Sequence, residues 1–237
     1  MQDPISNQVE KSLSLIELVR DGGIGAQIII IILSILFVIS IYIYIERSFV
    51  LKSAQKIDET FMEQIKHYVK QGKINDAKQL CMSENSPISN LLSKGISRIG
   101  KPLEDISSSI ENAGKLEVYK LEKNVSILAT IAGVGPMLGF LGTVIGMIIS
   151  IFEISNAGGN IDMKLLSNGL YTAMTTTVAG LIVGILGYIF YNHLVVKTNK
   201  VVYLMESSTI EFLDLLNEPE QLKQAIISAW SFKTNTY

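Results

Sequence analysis

The sequence predicts an all-α membrane protein with three transmembrane helices and long cytoplasmic helical extensions. Three observations predict this fold. Apolar residues make up 48% of the chain and charged residues only 18%, against about 25% charged in an ordinary soluble domain. Many of the apolar residues are concentrated in three stretches that contain no Asp, Glu, Lys or Arg. Outside those stretches apolar residues recur with helical spacing, and no strand-type alternation is found.

The three uncharged stretches cover 22–45, 124–152 and 165–196. Each exceeds the ~20 residues that a helix needs to cross a hydrocarbon core of about 30 Å. We therefore place transmembrane helices at 23–45, 124–152 and 166–196, of which the last two are long enough to tilt or to project into water. A secretory signal peptide is the alternative for the first stretch. It is disfavoured because the apolar core is too long and Glu46-Arg47, rather than a small-residue cleavage site, follows it.

The orientation of the chain follows from the Lys and Arg residues near the ends of the spans. One side carries Arg47, Lys52, Lys56, Lys115, Lys120, Lys123, Lys197 and Lys200. The other side carries only Lys11, Arg20 and Lys164. Because basic residues are retained in the cytoplasm, we expect 46–123 and 197–237 to be cytoplasmic, and the N-terminus and the loop 153–165 to be periplasmic.

The segments outside the spans are also predicted to be helical. Residues 1–22 form either a short amphipathic helix on the outer membrane surface or an ordinary frayed terminus. Residues 46–123 contain several helices separated by glycine and proline. The last of these begins near Pro102 and is expected to continue directly into the second span. The tail 197–237 is helical to about Asn217, and Pro219 interrupts its pattern.

The composition also excludes several classes of function. Cys81 is the only cysteine, and His67 and His193 are the only histidines, so a Cys- or His-based metal or catalytic centre within one chain is not expected. The net charge of −2 is too balanced for a protein held to nucleic acid by its overall charge. We therefore expect no enzyme, no cofactor, no metal and no nucleic-acid partner.

The second span carries a face of small residues interrupted by Pro136. Its glycines form two G-x-x-x-G pairs, Gly135/Gly139 and Gly142/Gly146. Small residues allow helix backbones to approach closely in lipid, and the proline is expected to kink the helix and to free a carbonyl. For any single pair, a simple packing notch is the favoured interpretation, since the pattern has many false positives.

The third span carries a cluster of hydroxyl groups followed by another pair, Gly180/Gly184. The cluster consists of Thr172, Thr175, Thr176 and Thr177, and Thr143 lies on the glycine face of the second span. For any single threonine, a hydroxyl bonded to its own i−4 carbonyl is the favoured interpretation. Taken together, we predict that these hydroxyls line a polar path for a proton or small cation, with Thr143, Thr177, Thr172 and Thr176 as the ion-pathway residues.

None of the three spans contains an Asp, Glu, Lys or Arg. Machines driven by an ion gradient usually need an ionisable group inside the membrane. His193 lies near the inner end of the third span, where an interfacial role is favoured over a proton relay. If the chain conducts protons, another subunit must therefore supply the titrating carboxylate.

Four sequence motifs are similar to those of a known family. They are LIELVRDGG and IYIERSFVL around the first span, GPMLGFLGTVIGM in the second and AMTTTVAGLIVG in the third. On these motifs the chain resembles the ExbB/TolQ/MotA proton-channel family, and ExbB most closely, over about 20–215.

The resemblance implies a homo-oligomer, a pentameric ring, in a bacterial inner membrane. It also implies a single-span ExbD/TolR-like partner that supplies an intramembrane Asp, with Thr143 and Thr177 at the positions of the threonines that face it. The proton-motive force would then drive mechanical work on a TonB-like protein, a Tol-type system or the cell wall. The complex itself would be in contact with membrane lipid.

One position departs from the pattern of the family. Many ExbB and TolQ members carry a glutamate where this chain has Thr172, so relay through that glutamate is not available here. Two rival functions stay open: a gradient-independent membrane scaffold, which would tolerate Val at Thr143 and Thr177, and a sodium-driven stator of the same fold. The sequence does not specify which machine is powered.

Overall fold

A computed structural model describes residues 24–55, 59–84, 86–156 and 163–234. Those residues form helices joined by turns, with no strand among them, which confirms the all-α prediction. The helices are α1 (Ile24–Ala54), α2 (Glu59–Lys70), α3 (Ile74–Ser83), α4 (Pro87–Ile96), α5 (Leu103–Glu122), α6 (Val125–Asn156) and α7 (Met163–Thr234). Three helices are long and apolar enough to cross a membrane, over Gly25–Ala54, Val125–Asn156 and Gly169–Asn217. The predicted N-terminal segment 1–22, and 157–162 of the predicted loop, lie outside the described residues.

The chain divides into two compact units. The first, here called the span unit, lies within Met1–Tyr44 and Ser126–Asn192. Its core consists of Ile29, Leu33, Ile131 and Val183, from all three long helices. Its outer surface is also apolar: Val38, Phe140 and Ile148 are each more than 60% exposed. A unit that is apolar on both its inside and its outside is typical of a membrane-embedded bundle.

The second unit, here called the extension unit, consists of Ile45–Val125 and His193–Tyr237. Phe212 and Ile110 are fully buried in it, and both pack against Gly95. A Cβ atom on Gly95 would lie 2.6 Å from Ile110 Cδ1 and 2.8 Å from Phe212 Cε1. Helices α4, α5 and α7 therefore meet at this glycine. Ser86 caps α4, and its hydroxyl accepts a hydrogen bond from the backbone of Ser89.

The boundary between α5 and α6 differs from the prediction. The sequence predicts that the helix after Pro102 continues into the second span, and this prediction is wrong. Helix α5 ends at Glu122, and Asn124 has a φ of 64°, a left-handed conformation that asparagine tolerates better than most residues. Arg47, only 6% exposed, donates from Nη1 to the Lys120 carbonyl at 3.2 Å. The guanidinium thereby satisfies one of the carbonyls that a helix leaves open at its C-terminus.

The end of α7 also differs from the prediction. Pro219 was expected to interrupt the helical pattern of the tail, but α7 continues through that position to Thr234. Upstream of it, α7 is tied to α1: the Lys197 ammonium donates to the Ser48 hydroxyl at 3.0 Å, and the Gln55 amide donates to the Lys197 carbonyl at 3.4 Å. These bonds lie within the extension unit, so α1 contributes to both units.

Candidate functional site

The glycine face of α6 packs directly on the backbone of α7. A Cβ atom on Gly135 would lie 3.1 Å from the Gly180 carbonyl oxygen, and one on Gly139 would lie 3.0 Å from the Thr176 carbonyl oxygen. These positions leave almost no room for a side chain. We call this contact the seam. It is defined by two sets of residues: Gly135, Pro136, Gly139, Gly142, Thr143, Gly146 and Ser150 on α6, and Gly169, Ala173, Thr176, Thr177, Gly180 and Gly184 on α7. Such close backbone approach maximises van der Waals contact between helices in lipid.

Pro136 lies against Gly184 in the seam. A Cβ atom on Gly184 would lie 2.6 Å from both Pro136 Cγ and Pro136 Cδ, and 3.1 Å from the Ala132 carbonyl oxygen. Because proline has no N–H, that carbonyl has lost its usual helical donor. The carbonyl freed by Pro136 therefore faces the neighbouring helix rather than lipid, as membrane depth requires.

Two of the four predicted pathway threonines meet in the seam. The Thr143 and Thr177 hydroxyl oxygens are 2.5 Å apart, and each lies 3.2 Å from the Gly139 carbonyl oxygen. Each hydroxyl has one proton to donate. One threonine can therefore donate to the other, which donates to the carbonyl, and the two roles can be exchanged by rotating both O–H bonds. Both side chains remain partly exposed on the surface of the span unit.

The other two predicted threonines are buried in the span unit. Thr176 is fully buried and donates to the Ala173 carbonyl at 2.8 Å. It fills the notch of Gly142, where a Cβ atom would lie 2.5 Å from its hydroxyl. Thr172 is 7% exposed. Thr175, by contrast, is partly exposed and donates to its own i−4 carbonyl at Tyr171, the arrangement that carries no functional information.

The seam contains one further hydroxyl, Ser150, which is not among the predicted pathway residues. Ser150 is 4% exposed and donates to the Gly146 carbonyl at 2.9 Å. A Cβ atom on Gly169 would collide with the Ser150 hydroxyl, only 1.5 Å away, so the serine occupies the space that the glycine leaves. The signal was available: Ser150 follows Gly146 by four residues and Thr143 by seven, and therefore continues the same helical face.

The ionisable residues that the structure describes form no metal site. Among them, no group of three or more His, Cys, Asp or Glu residues is arranged to hold an ion. His193 is exposed and lies in the extension unit. Burial raises the pKa of the Cys81 thiol to about 12, so this cysteine stays protonated and unreactive at neutral pH.

Comparison with known proteins identifies the segment that contains the seam. The MotA/TolQ/ExbB proton channel family matches residues 83–207. That range includes the whole seam and both hydroxyls of the Thr143–Thr177 pair. The extension-unit helices α4 and α5 fall within the same match.

Individual relatives extend the similarity over most of the chain. An ExbB homologue of Methanothermobacter thermautotrophicus is 26% identical over 186 residues, covering 76% of this chain and 63% of the relative. The biopolymer transport protein ExbB of Aquifex aeolicus is 38% identical over 96 residues, 40% of this chain and 64% of the relative. The Tol-Pal system protein TolQ of Haemophilus influenzae is 28% identical over 202 residues, 80% of this chain and 87% of the relative. The chain thus spans less than two thirds of the first two relatives.

Proposed function

The chain belongs to the MotA/TolQ/ExbB proton channel family, and on that premise we propose that it is a proton-channel and stator subunit. With a single-span ExbD-like partner, it converts the proton-motive force into mechanical work for a TonB- or Tol-type envelope system. The family is one of membrane channels and not of enzymes, and three apolar helices long enough to span a membrane agree with a multi-pass inner-membrane protein.

The observation that carries this proposal is the hydroxyl pair of Thr143 and Thr177. Both hydroxyls lie within hydrogen-bond distance of each other and of the Gly139 carbonyl, yet they stay partly exposed on the unit surface. They can therefore bond a further group that approaches from that side. Thr176 and Thr172 are buried, so we assign them to the wall behind the path rather than to its surface.

The titrating group must come from outside this chain. The candidate spans contain no Asp, Glu, Lys or Arg from 23 to 45, from 124 to 152 or from 165 to 196, and His193 lies near the inner end of the third. Thr172 stands where the resemblance implies a glutamate in many ExbB and TolQ members. A carboxylate on the partner helix, held near the Thr143–Thr177 pair, would exchange its proton through hydroxyls and water. One charge that crosses 100 mV releases about 2.3 kcal/mol, which is enough to bias a mechanical step.

The arrangement in the membrane is part of the same proposal. Five copies form a ring around the partner helices, with spans at 23–45, 124–152 and 166–196. The segments 46–123 and 197–237 are cytoplasmic, and the N-terminus and the loop 153–165 are periplasmic, as the distribution of Lys and Arg supports.

Proton flux tests the proposal directly. The chain, co-purified with its single-span partner, is reconstituted into vesicles, and the wild type is compared with Thr143→Val and Thr177→Val. Thr175→Val is the matched control, because its hydroxyl bonds only its own helix. We expect the two seam variants to lose most of the flux while the complex still assembles, and the control to keep it. Unchanged flux in the seam variants would refute the role of the hydroxyl pair.

A second candidate, a membrane scaffold without ion conduction, is favoured by the closeness of the seam itself, since glycine packing alone suffices to assemble helices. This candidate predicts that Thr143→Val and Thr177→Val retain full biological function and that no flux is seen in the wild type. A sodium-driven stator is separated from the proton channel by replacing sodium with potassium in the same vesicles.

A further inference from the structure

An open apolar groove lies within the extension unit, between α5 and α7. Its volume is about 780 Å³. The floor is formed by aliphatic side chains from three helices: Leu91, Ile110, Val118, Val202, Met205 and Leu213. A cleft of this size and lining is typical of a site that accepts an apolar ligand or helix face.

The lips of the groove carry large apolar side chains that are exposed. Tyr119 on α5 is 76% exposed and Ile210 on α7 is 61% exposed. Unlike the apolar surface of the span unit, they lie among charged residues, so contact with lipid does not explain them. Exposed apolar residues around a cleft mark interaction sites. The Thr209 hydroxyl beside them donates to the Met205 carbonyl and so needs no external partner.

The charge of the groove is negative. Its lining contains three carboxylates, Glu111, Glu122 and Glu206, and one ammonium, Lys115. Lys115 lies 2.8 Å from Glu111, and this hydrogen bond lowers the pKa of the Glu111 carboxyl. Glu122 and Glu206 are exposed and form no ion pair with any residue that the structure describes. Two carboxylates are thus left without a cation beside an apolar floor.

The position of the groove along the chain is informative. Glu122 is the last residue of α5, directly before the turn that leads into α6. Val202, on the other wall, follows the charge-free stretch that ends at 196. On α5 the groove thus ends just before the proposed span 124–152, and on α7 it begins just after the proposed span 166–196. In the proposed orientation both of these span ends are cytoplasmic.

We propose that this groove binds the basic cytosolic flank of the single-span partner as an amphipathic helix. The inference rests on the proposed function for the partner and for the orientation. Cytosolic flanks of membrane spans carry an excess of Lys and Arg, which complements Glu122 and Glu206. Apolar residues at i, i+3, i+4 and i+7 of such a segment would lie on the floor, as in other helix-in-groove complexes. An anionic lipid headgroup is disfavoured, because it would face the same two carboxylates.

A binding experiment with a defined probe tests the chemistry. The full chain in detergent is titrated with a fluorescent amphipathic peptide of Leu and Lys, and with its Leu and Glu counterpart. We expect only the Lys peptide to bind. Its affinity should fall about three- to tenfold in the double variant Glu122→Gln/Glu206→Gln, since exposed ion pairs contribute modestly, and it should also fall in Ile210→Ser. The matched control is Glu63→Gln/Asp214→Asn, which removes two exposed carboxylates outside the groove and should leave the affinity unchanged.

Cross-linking in the intact complex identifies the occupant. Ile210→Cys places a thiol on the lip of the groove, and the native Cys81 is buried, so a maleimide cross-linker reacts at the new site. A cross-link to the single-span partner supports the inference. A cross-link to a second copy of this chain would overturn it, as would equal binding of the Lys and Glu peptides or labelling by a photoreactive phospholipid alone.

The two proposals fail separately. Flux that depends on Thr143 together with an empty or self-occupied groove would reject the docking site and keep the channel. A partner cross-link at Ile210→Cys without any proton flux would reject the channel and keep the docking site.

Discussion

Helix α7 makes two helix contacts that differ in what fills them. In the span unit, Gly180 meets α6 so closely that its Cβ position lies 2.6 Å from the Gly135 carbonyl oxygen. In the extension unit, the same helix contributes Phe212, a fully buried aromatic side chain, to a core with Ile110 and Leu92. The first contact has no large side chain at its centre, and the second is built from them.

The difference shows which interaction stabilises the span unit and which stabilises the extension unit. Between helices in lipid, burying apolar side chains gains nothing, because lipid tails are equally apolar, and close backbone contact takes its place. In water, removing apolar side chains from solvent dominates. One helix thus follows two sets of packing rules along its length, and opposite substitutions should damage its two ends.

The largest effect is expected in the extension unit. Phe212→Ala removes a side chain with 0% exposure and should lower the free energy of unfolding by about 3–5 kcal/mol. Thermal unfolding of the purified chain, followed by circular dichroism, measures the change. Tyr203→Ala is the control on the same helix, because Tyr203 is 69% exposed. Equal effects from the two variants would contradict the buried core.

The seam should respond to the opposite change. Gly180→Ala adds one carbon atom where the nearest backbone atoms lie at 2.6–2.9 Å, and should destabilise the chain by about 1–3 kcal/mol through overpacking. Gly133→Ala is the matched control, since no atom of another described helix lies within 4 Å of its Cβ position, and alanine is the better helix former there. Thermal midpoints in one detergent compare the two. If Gly133→Ala were as harmful as Gly180→Ala, helix propensity rather than close approach would explain the glycines.

The parts of the fold that the sequence predicted are those set by local spacing. The charge-free stretches, the glycine face of α6 and the shared faces of the threonines all follow from helical periodicity. Spacing did not distinguish Thr176, which is enclosed, from Thr177, which is partly exposed, because that depends on how α7 is rotated against α6.

The parts that the sequence did not predict depend on residues far apart in the chain. The helix break at Asn124 is accompanied by a hydrogen bond from Arg47 to the Lys120 carbonyl, and these two residues are 73 positions apart. No local sequence pattern predicts this bond. The groove is likewise invisible in sequence, since Ile110 and Met205 come together only in the folded unit. Both features arise from contacts between helices rather than from any one helix.

The smallest of the three effects is expected at Arg47. Its buried guanidinium bonds α1 to the end of α5 within the extension unit. Arg47→Met removes the bond to the Lys120 carbonyl, and a bond from a charged donor contributes about 1.5–3 kcal/mol. The loss is partly offset because the variant also removes a buried guanidinium whose Nε atom has no hydrogen-bond partner among the described residues. We therefore expect a net loss of about 1 kcal/mol, with faster amide hydrogen exchange confined to the end of α5 and the turn at Asn124. Glu46→Gln is the control: it removes the neighbouring ion pair at 2.9 Å and leaves the bond to Lys120 in place. Faster exchange in Glu46→Gln as well would assign the break to the ion pair and not to the capping of α5.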